Sequence, residues 1–402
     1  DPCAYHQKKT RMRLLVGVIA ALVSTTTWAF TAVSLPSQRT TPLRGIDVNV
    51  WEYTWQRQQP PIDLPKAIDE ESGGPEPFQI TEAQKEILQR DGVVHIPRVL
   101  DEGWLEHLRR LTDHQVSNPH VWASPGVASG LYDYIQRNIW TTNDGFMKFL
   151  YYSPVASVLA ALGGAKESVR LTTDLLMVNP NKGFKWHQDN QNGPVGFEDA
   201  LRWWVTMDDT PRDYGAPVYL RGSQNNQCVD EDAVFVDIND GDLPVYARHL
   251  LEFRPKAGDM IVWHARTIHK IDGPESQDWG TKKRRVLGGT VAIDRATYKD
   301  KQKVEFADMG RHSLQHGDPL EDPHFPRIWP SPVPSERQAR LYAGSVGRSL
   351  PGFARMLGAM FSFKTMQQFN SWGNVLKVVD EPPAPAADKG GAAATEVSQA
   401  RA

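Results

Sequence analysis

From Val169 onward the chain breaks into short runs rich in Val, Trp, Leu and Thr, and this texture limits its possible folds more than any other feature. The runs are Leu171 to Val178, Leu201 to Met207, Pro217 to Leu220, Ala233 to Val236, Met260 to His264 and Val286 to Ile293, separated by clusters of Gly, Pro and Asp. Strands this short and closely spaced build a sandwich, a barrel or a jelly roll, because a parallel βαβ sheet would need a helical pattern between successive strands. The expectation is a mainly β protein with flanking helices and a double-stranded β-helix (jelly roll, cupin-like) core.

Helical signals precede that region. Thr81 and Gln84 form a capping box, Ile80, Ala83, Ile87 and Leu88 form a stripe at helical spacing, and Gly92 stands where a left-handed C-terminal residue is wanted. A short strand over Val93 to Ile96 follows, then a helix capped by Asp101 with Trp104, Leu105, Leu108 and Leu111 on one side. Ser153-Pro154 opens a further helix that ends near Gly163-Gly164, so this third of the chain reads as mostly helical. Later apolar stripes, Glu336 to Gly347 and Phe353 to Phe363, read as helices packed on the outside of the barrel.

These signals divide the chain into a targeting segment over 1–30, a linker over 31–77, one domain over 78–376 with its β core at about 168–295, and a disordered tail over 377–402. In the leader, Lys8, Lys9, Arg11 and Arg13 precede an apolar run from Leu14 to Val23 that is too short to span a bilayer. It directs the chain to the secretory route from a start at Met12, leaves no stable membrane span in the mature chain, and resembles the signal-plus-transit leaders of algae with secondary plastids. A net charge of -3 offers no global attraction to nucleic acid. Cys3 and Cys228 make neither a disulfide framework nor a zinc spacing.

The chemistry centres on Lys185-Trp186-His187-Gln188-Asp189. Residues two apart on a strand point the same way, so His187 and Asp189 can present an imidazole and a carboxylate together. One more imidazole completes the two-His, one-carboxylate triad that leaves positions open on iron(II). The stretch Gly258 to His269 offers His264, inside an apolar run, and His269, before the apparent rim turn Lys270-Ile271-Asp272-Gly273-Pro274. His264 reads as a core histidine and His269 as the third ligand. An oxygenase of this kind using 2-oxoglutarate also needs a cation for the distal carboxylate. Lys282-Lys283-Arg284-Arg285 heads a strand, whose alternation lets only one of the two arginines face the cavity. The other basic residues there read as a solvated edge.

From about Ile80 to Ile293 the chain resembles the phytanoyl-CoA dioxygenase-like family of iron(II)/2-oxoglutarate-dependent dioxygenases. The resemblance rests on Thr81-Glu82-Ala83-Gln84 with Asp91 to Pro97, on Trp186-His187-Gln188-Asp189, and on Trp204 to Asp209 leading into Gly215 to Ser223. It implies His187, Asp189 and His269 as catalytic iron ligands, Arg284 as the 2-oxoglutarate anchor and Trp204 as a wall beside the cosubstrate. It also implies Fe(II), with 2-oxoglutarate and O2 as cosubstrates, and hydroxylation of a C-H bond in a small-molecule or lipid-derived substrate. Related halogenases lack a carboxylate at the position of Asp189, so its presence favours hydroxylation. The chain departs from the family at Lys270-Ile271, where a Gly-Ser pair is usual, and at Arg221 and Gln224, which puts the substrate side in question. An acyl-CoA substrate would draw on Lys182, Lys185, Lys270 and Lys282. The alternative is a non-catalytic cupin-like binding protein that retains the jelly roll.

Overall fold

Two antiparallel sheets carry the chain's chemistry, and the pattern of apolar side chains decides which of their faces meet. The computed structural model describes residues 73–119, 132–181, 183–189, 193–196, 198–211, 214–225, 249–273, 283–299 and 314–331. The leader, nearly all of the linker, the run Ala233 to Val236, the helices at 336–347 and 353–363, the tail and both cysteines lie outside the described residues.

The larger sheet has seven strands. Along it run β1 (Val93–Ile96), β8 (Met260–His264), β5 (Ala200–Thr206), β10 (Arg285–Ile293), β3 (Val169–Pro180) and β11 (Arg327–Trp329), with β2 (Tyr132–Arg137) pairing β3 beside β11. The smaller sheet is ordered β4 (Phe184–His187), β9 (His269–Ile271), β6 (Pro217–Leu220) and β7 (Leu250–Glu252). Alternation along each strand sends Leu201, Trp203, Val205, Met260, Val262 and Leu287 outward into the cluster shared with the helices. It sends Trp204, Ile261, Trp263 and Val286 inward, where they pack with Tyr219 of the smaller sheet. The two sheets therefore close on each other, and the fold is mainly β, a double-stranded β-helix flanked by helices. The centre of the larger sheet is tight. A Cβ on Gly288 would stand 2.7 Å from the Trp203 carbonyl oxygen and 3.1 Å from the Trp204 Cβ, so its lack of a side chain lets Trp204 sit close.

Among the described residues four α-helices cover the outer face: α1 (Glu82–Asp91), α2 (Glu102–Ser117), α3 (Asp144–Tyr152) and α4 (Pro154–Gly163). The caps fall where the residue types put them. Thr81 and Gln84 form the reciprocal box, Gly92 takes φ 78°, and Asp101 accepts the Trp104 N–H at 2.8 Å. Leu108 and Leu111 are fully buried, and Trp104 meets Phe149 edge-on at 5.4 Å. Each such side chain contributes about 1.5–3 kcal/mol through burial. Ala83 departs from the expected stripe and is exposed, leaving Ile87 and Leu88 to face the sheet. Helix α3 and strand β2 are additions to the sequence reading. Phe146, Met147, Phe149, Leu150 and Tyr151 are buried nearly all round, so α3 shows no narrow stripe to detect. No single described helix is long and apolar enough to cross a membrane; α3 and α4 pass that test only as a pair bent by 48°.

Asp174 ties the sheet to this helical layer. It is fully buried on β3, one carboxyl oxygen accepts the Trp140 backbone N–H at 3.1 Å, and the other oxygen has no partner among the described residues. Burial pushes its pKa up to about 8, against the backbone N–H groups of Trp140 and Ile139 that pull it down. An unfolded aspartate titrates near ~3.9. The native state therefore keeps a proton that the unfolded chain releases, and the resulting stability is complete below the unfolded value and lost as pH rises through about 8. Asp174→Asn carries no such charge. In urea unfolding, its midpoint relative to wild type is expected to move in favour of the variant as pH rises from about 5 to about 8; a difference that stays flat with pH contradicts a buried neutral carboxyl.

Candidate active site

His187 closes β4 and His269 opens β9, and the two are direct cross-strand partners. That register brings their rings to a centroid separation of 4.1 Å. Asp189 lies two residues beyond, and its backbone N–H donates to the Ala265 carbonyl at 3.0 Å. His269 Nε2 stands 3.2 Å from Asp189 Oδ2, and His187 Nε2 stands 3.9 Å from Asp189 Oδ1. One donor atom from each of the three lies within 4.8 Å of the others. The His269 Nδ1 faces the Thr267 carbonyl at 2.9 Å, which assigns the proton to that nitrogen and leaves the Nε2 lone pair for the site. Two imidazoles and a carboxylate in this arrangement are a donor set suited to a divalent transition metal.

The structure corrects the expected path to His269. Lys270 and Ile271 continue a strand that pairs with β4 and β6, in place of a rim turn. His264 and His269 consequently belong to different sheets, since Ala265 and Arg266 turn the chain from one to the other. His264 remains beside Leu201 in the larger sheet.

Burial alone would raise the Asp189 pKa, but Arg202 and the imidazoles of His269 and His187 hold it well below the ordinary carboxylate range. Arg202 Nε lies 3.1 Å from Asp189 Oδ2, at an angle too poor for a hydrogen bond, so the contact is ionic. Trp263 Nε1 donates to the same oxygen at 3.1 Å. Neither residue was singled out from the sequence. Arg202 stands two residues from Trp204 on β5, so alternation alone would have set both on the inner face.

Arg284 presents the opposite case. It is fully buried, and its Nε, Nη1 and Nη2 all lack a hydrogen-bond partner among the described residues. The guanidinium carbon lies 5.0 Å from the centre of the Trp204 ring. Burial lowers its pKa to about 10, with Tyr132 and Tyr219 working in the other direction. The Tyr219 hydroxyl and the Trp204 indole nitrogen are also buried without partners among the described residues. Tyr219 in turn stacks on His269 at 5.4 Å, which links this pocket to the triad. A buried cation with no acceptor costs several kcal/mol, so the site fits an anionic ligand whose oxygens fill those directions. Asn179 fixes where the arginine enters: its Oδ1 accepts the Arg284 N–H, and its own N–H donates to the Arg284 carbonyl, both at 2.9 Å.

Of the two neighbouring arginines, Arg284 faces the cavity. Arg285 turns outward and pairs with Asp208 at 2.7 Å and Asp113 at 3.1 Å, with its side chain only 9% exposed. That revises the reading of Arg285 as a solvated edge, because both acids lie across the outer face. Other expectations change too. Lys270 pairs with Asp272 at 2.6 Å and lies 5.3 Å from the Trp186 ring, so its charge is already balanced. Lys182 and Lys282 and the side chain of Lys185 lie outside the described residues. Arg221 binds Asp91 at 2.6 Å and Gln224 donates to the Gln89 carbonyl at 2.9 Å. Both hold their turn against the end of α1, so the departure from the family pattern there is a packing change.

The fold and the site define a double-stranded β-helix with a two-His, one-carboxylate centre. The Phytanoyl-CoA dioxygenase (PhyH) family profile matches residues 88–279, and over that stretch the chain is similar to the family. No curated protein matches the sequence significantly. Among solved structures, the chain is similar to the non-heme alpha ketoglutarate dependent epimerase SnoN from nogalamycin biosynthesis (20% identity, 62% of this chain and 96% of that one, TM-score 0.49). It is also similar to EctD from S. alaskensis (14% identity, 65% and 90%, TM-score 0.46). A third similar structure is the nickel complex of the non-heme monooxygenase ThoJ (17% identity, 72% and 100%, TM-score 0.44).

An unpartnered cation predicts opposite effects on stability and binding. Arg284→Met is expected to leave the ligand-free melting temperature unchanged or higher, while abolishing thermal stabilisation by 2-oxoglutarate. Scanning calorimetry with and without the dicarboxylate checks both, and a variant that is destabilised yet still stabilised by 2-oxoglutarate contradicts the assignment.

Proposed function

We propose that the chain is an iron(II)/2-oxoglutarate-dependent dioxygenase that hydroxylates a C-H bond of a small-molecule or lipid-derived substrate. The observation that carries this reading is the triad of donors beside a buried guanidinium with no partner. In this reading His187, Asp189 and His269 hold iron(II), and Arg284 grips the distal carboxylate of 2-oxoglutarate by two parallel N–H bonds. When bound, iron(II) with 2-oxoglutarate and O2 supplies the oxidising chemistry: the 2-oxo acid loses CO2 to become succinate, and one oxygen atom enters a substrate C-H bond.

The protein's part is to bind, orient and exclude water. Trp204 forms the wall beneath the Arg284 guanidinium, which orients the bound dicarboxylate. The Tyr219 hydroxyl is placed to take the role of the serine hydroxyl that Lys270-Ile271 cannot supply, since it is buried, unpartnered and within electrostatic range of Arg284. Tyr219 packs against Trp263 at 5.5 Å and Phe253 at 5.8 Å, and with Trp204 they keep bulk water from the carboxylate.

Succinate formation and O2 uptake that require both added Fe(II) and 2-oxoglutarate are the expected result, in a screen of small hydroxylated metabolites and acyl compounds. Asp189→Ala is expected to abolish both. With metal present, 2-oxoglutarate at a hundred times its Kd is expected to stabilise the fold by about 2.7 kcal/mol. Protein that takes up neither metal nor 2-oxoglutarate overturns the reading. Protein that binds both and consumes no O2 with any substrate, or without one, is the non-catalytic binding protein.

A further inference from the structure

Across the inner face of the larger sheet, three side chains from three adjacent strands stand in one row. Trp263 on β8 and Thr290 on β10 are the register partners of Arg202 on β5. Directly opposed residues in antiparallel strands have Cβ atoms about 4.5–5.5 Å apart, so strand pairing itself assembles this row. Arg202 Nη1 donates to Thr290 Oγ1 at 2.5 Å, and the guanidinium carbon lies 5.7 Å from the Trp263 ring centre. The distal end of the guanidinium is thus held by Thr290 while its Nε faces Asp189. Arg202 Nε and the Trp263 indole nitrogen then converge on a single atom, Asp189 Oδ2, each at 3.1 Å.

We propose that Arg202, steadied by Thr290, is a positioning residue for Asp189. With Trp263 it pins one oxygen of the carboxylate and so fixes the group's rotation toward the imidazoles of His187 and His269. The inference rests on the reading of these three residues as metal ligands.

A plainer role is charge balance, in which Arg202 only offsets a buried carboxylate. If charge were the whole effect, Arg202→Lys, which keeps the charge, would bind metal as wild type does, whereas a positioning role needs the planar guanidinium. Groups that orient a metal ligand from outside the coordination sphere are worth about 10–100-fold in affinity, so losing a positioning residue weakens it. Thr290 separates the roles further, because replacing it changes no charge.

The test is anaerobic titration of the full chain with Co(II), followed by visible absorption, with no 2-oxoglutarate or O2 present. Arg202→Met is expected to bind Co(II) at least about tenfold more weakly than wild type. Thr290→Val, close in size and unchanged in charge, is expected to lose roughly fivefold, the size of one net hydrogen bond. Arg202→Lys keeps the charge without the planar fork and is expected not to restore wild-type affinity. Binding by Arg202→Met as tight as wild type or tighter overturns the inference, and so does full affinity in Arg202→Lys. Should Arg202→Met fail to fold, Thr290→Val decides alone: weakened binding supports positioning, and unchanged binding overturns it. Wild-type protein that takes up no Co(II) defeats the metal reading itself and the inference with it.

Discussion

Asp189 keeps a negative charge in a largely buried place where water solvates it poorly, and much of the surrounding architecture follows from that demand. An isolated carboxylate moved into a protein interior would protonate, and a protonated carboxyl is a poor metal ligand. At an effective dielectric near ~20, a cation about 4 Å away offsets roughly 4 kcal/mol of that cost. Arg202 supplies such a cation, the Trp263 N–H adds a hydrogen bond, and the imidazoles face the same group. None of the four comes from the local segment of Asp189 except His187. The carboxylate therefore depends on β4, β5, β8 and β9 meeting in one register.

The two arginines of the inner cavity make an instructive pair. Arg202 has a carboxylate on one side and a threonine hydroxyl on the other, so its charge is used within the protein. Arg284 lies over the Trp204 ring and has no acceptor among the described residues for any of its three nitrogens. A fold does not retain a buried, unpartnered cation for stability, because replacing it with an apolar side chain would relieve the desolvation cost. Its retention is explained by a ligand that completes it. Asn179 holds the backbone so that Arg284 points inward while Arg285 reaches Asp208 and Asp113 on the far face.

Behind the site, the helical layer and the larger sheet share one apolar cluster into which Asp174 inserts as a neutral hydrogen-bonding group. The departures from the family's usual pattern sort themselves by where their side chains go. Arg221 and Gln224 bind the end of α1 and so secure the smaller sheet's turn to the helix that precedes β1. Lys270 lies over Trp186 and pairs with its neighbour Asp272, on the outer side of the smaller sheet. Neither change reaches the three donors.

Local chemistry was enough for much of this. Capping residues at Thr81, Asp101 and Ser153, alternation in the β runs, and His187-x-Asp189 at strand spacing could all be read in one pass, because each is a relation between residues a few positions apart. Tertiary structure decided what depends on pairing between distant strands. It set His269 opposite His187 across β4 and β9, separated His264 into the other sheet, turned Arg284 inward and Arg285 outward, and aligned Trp263, Arg202 and Thr290 in one row, with the first two meeting at one oxygen of Asp189. Strand register is a property of two segments at once, and a one-residue slip would have moved every one of these side chains to the opposite face.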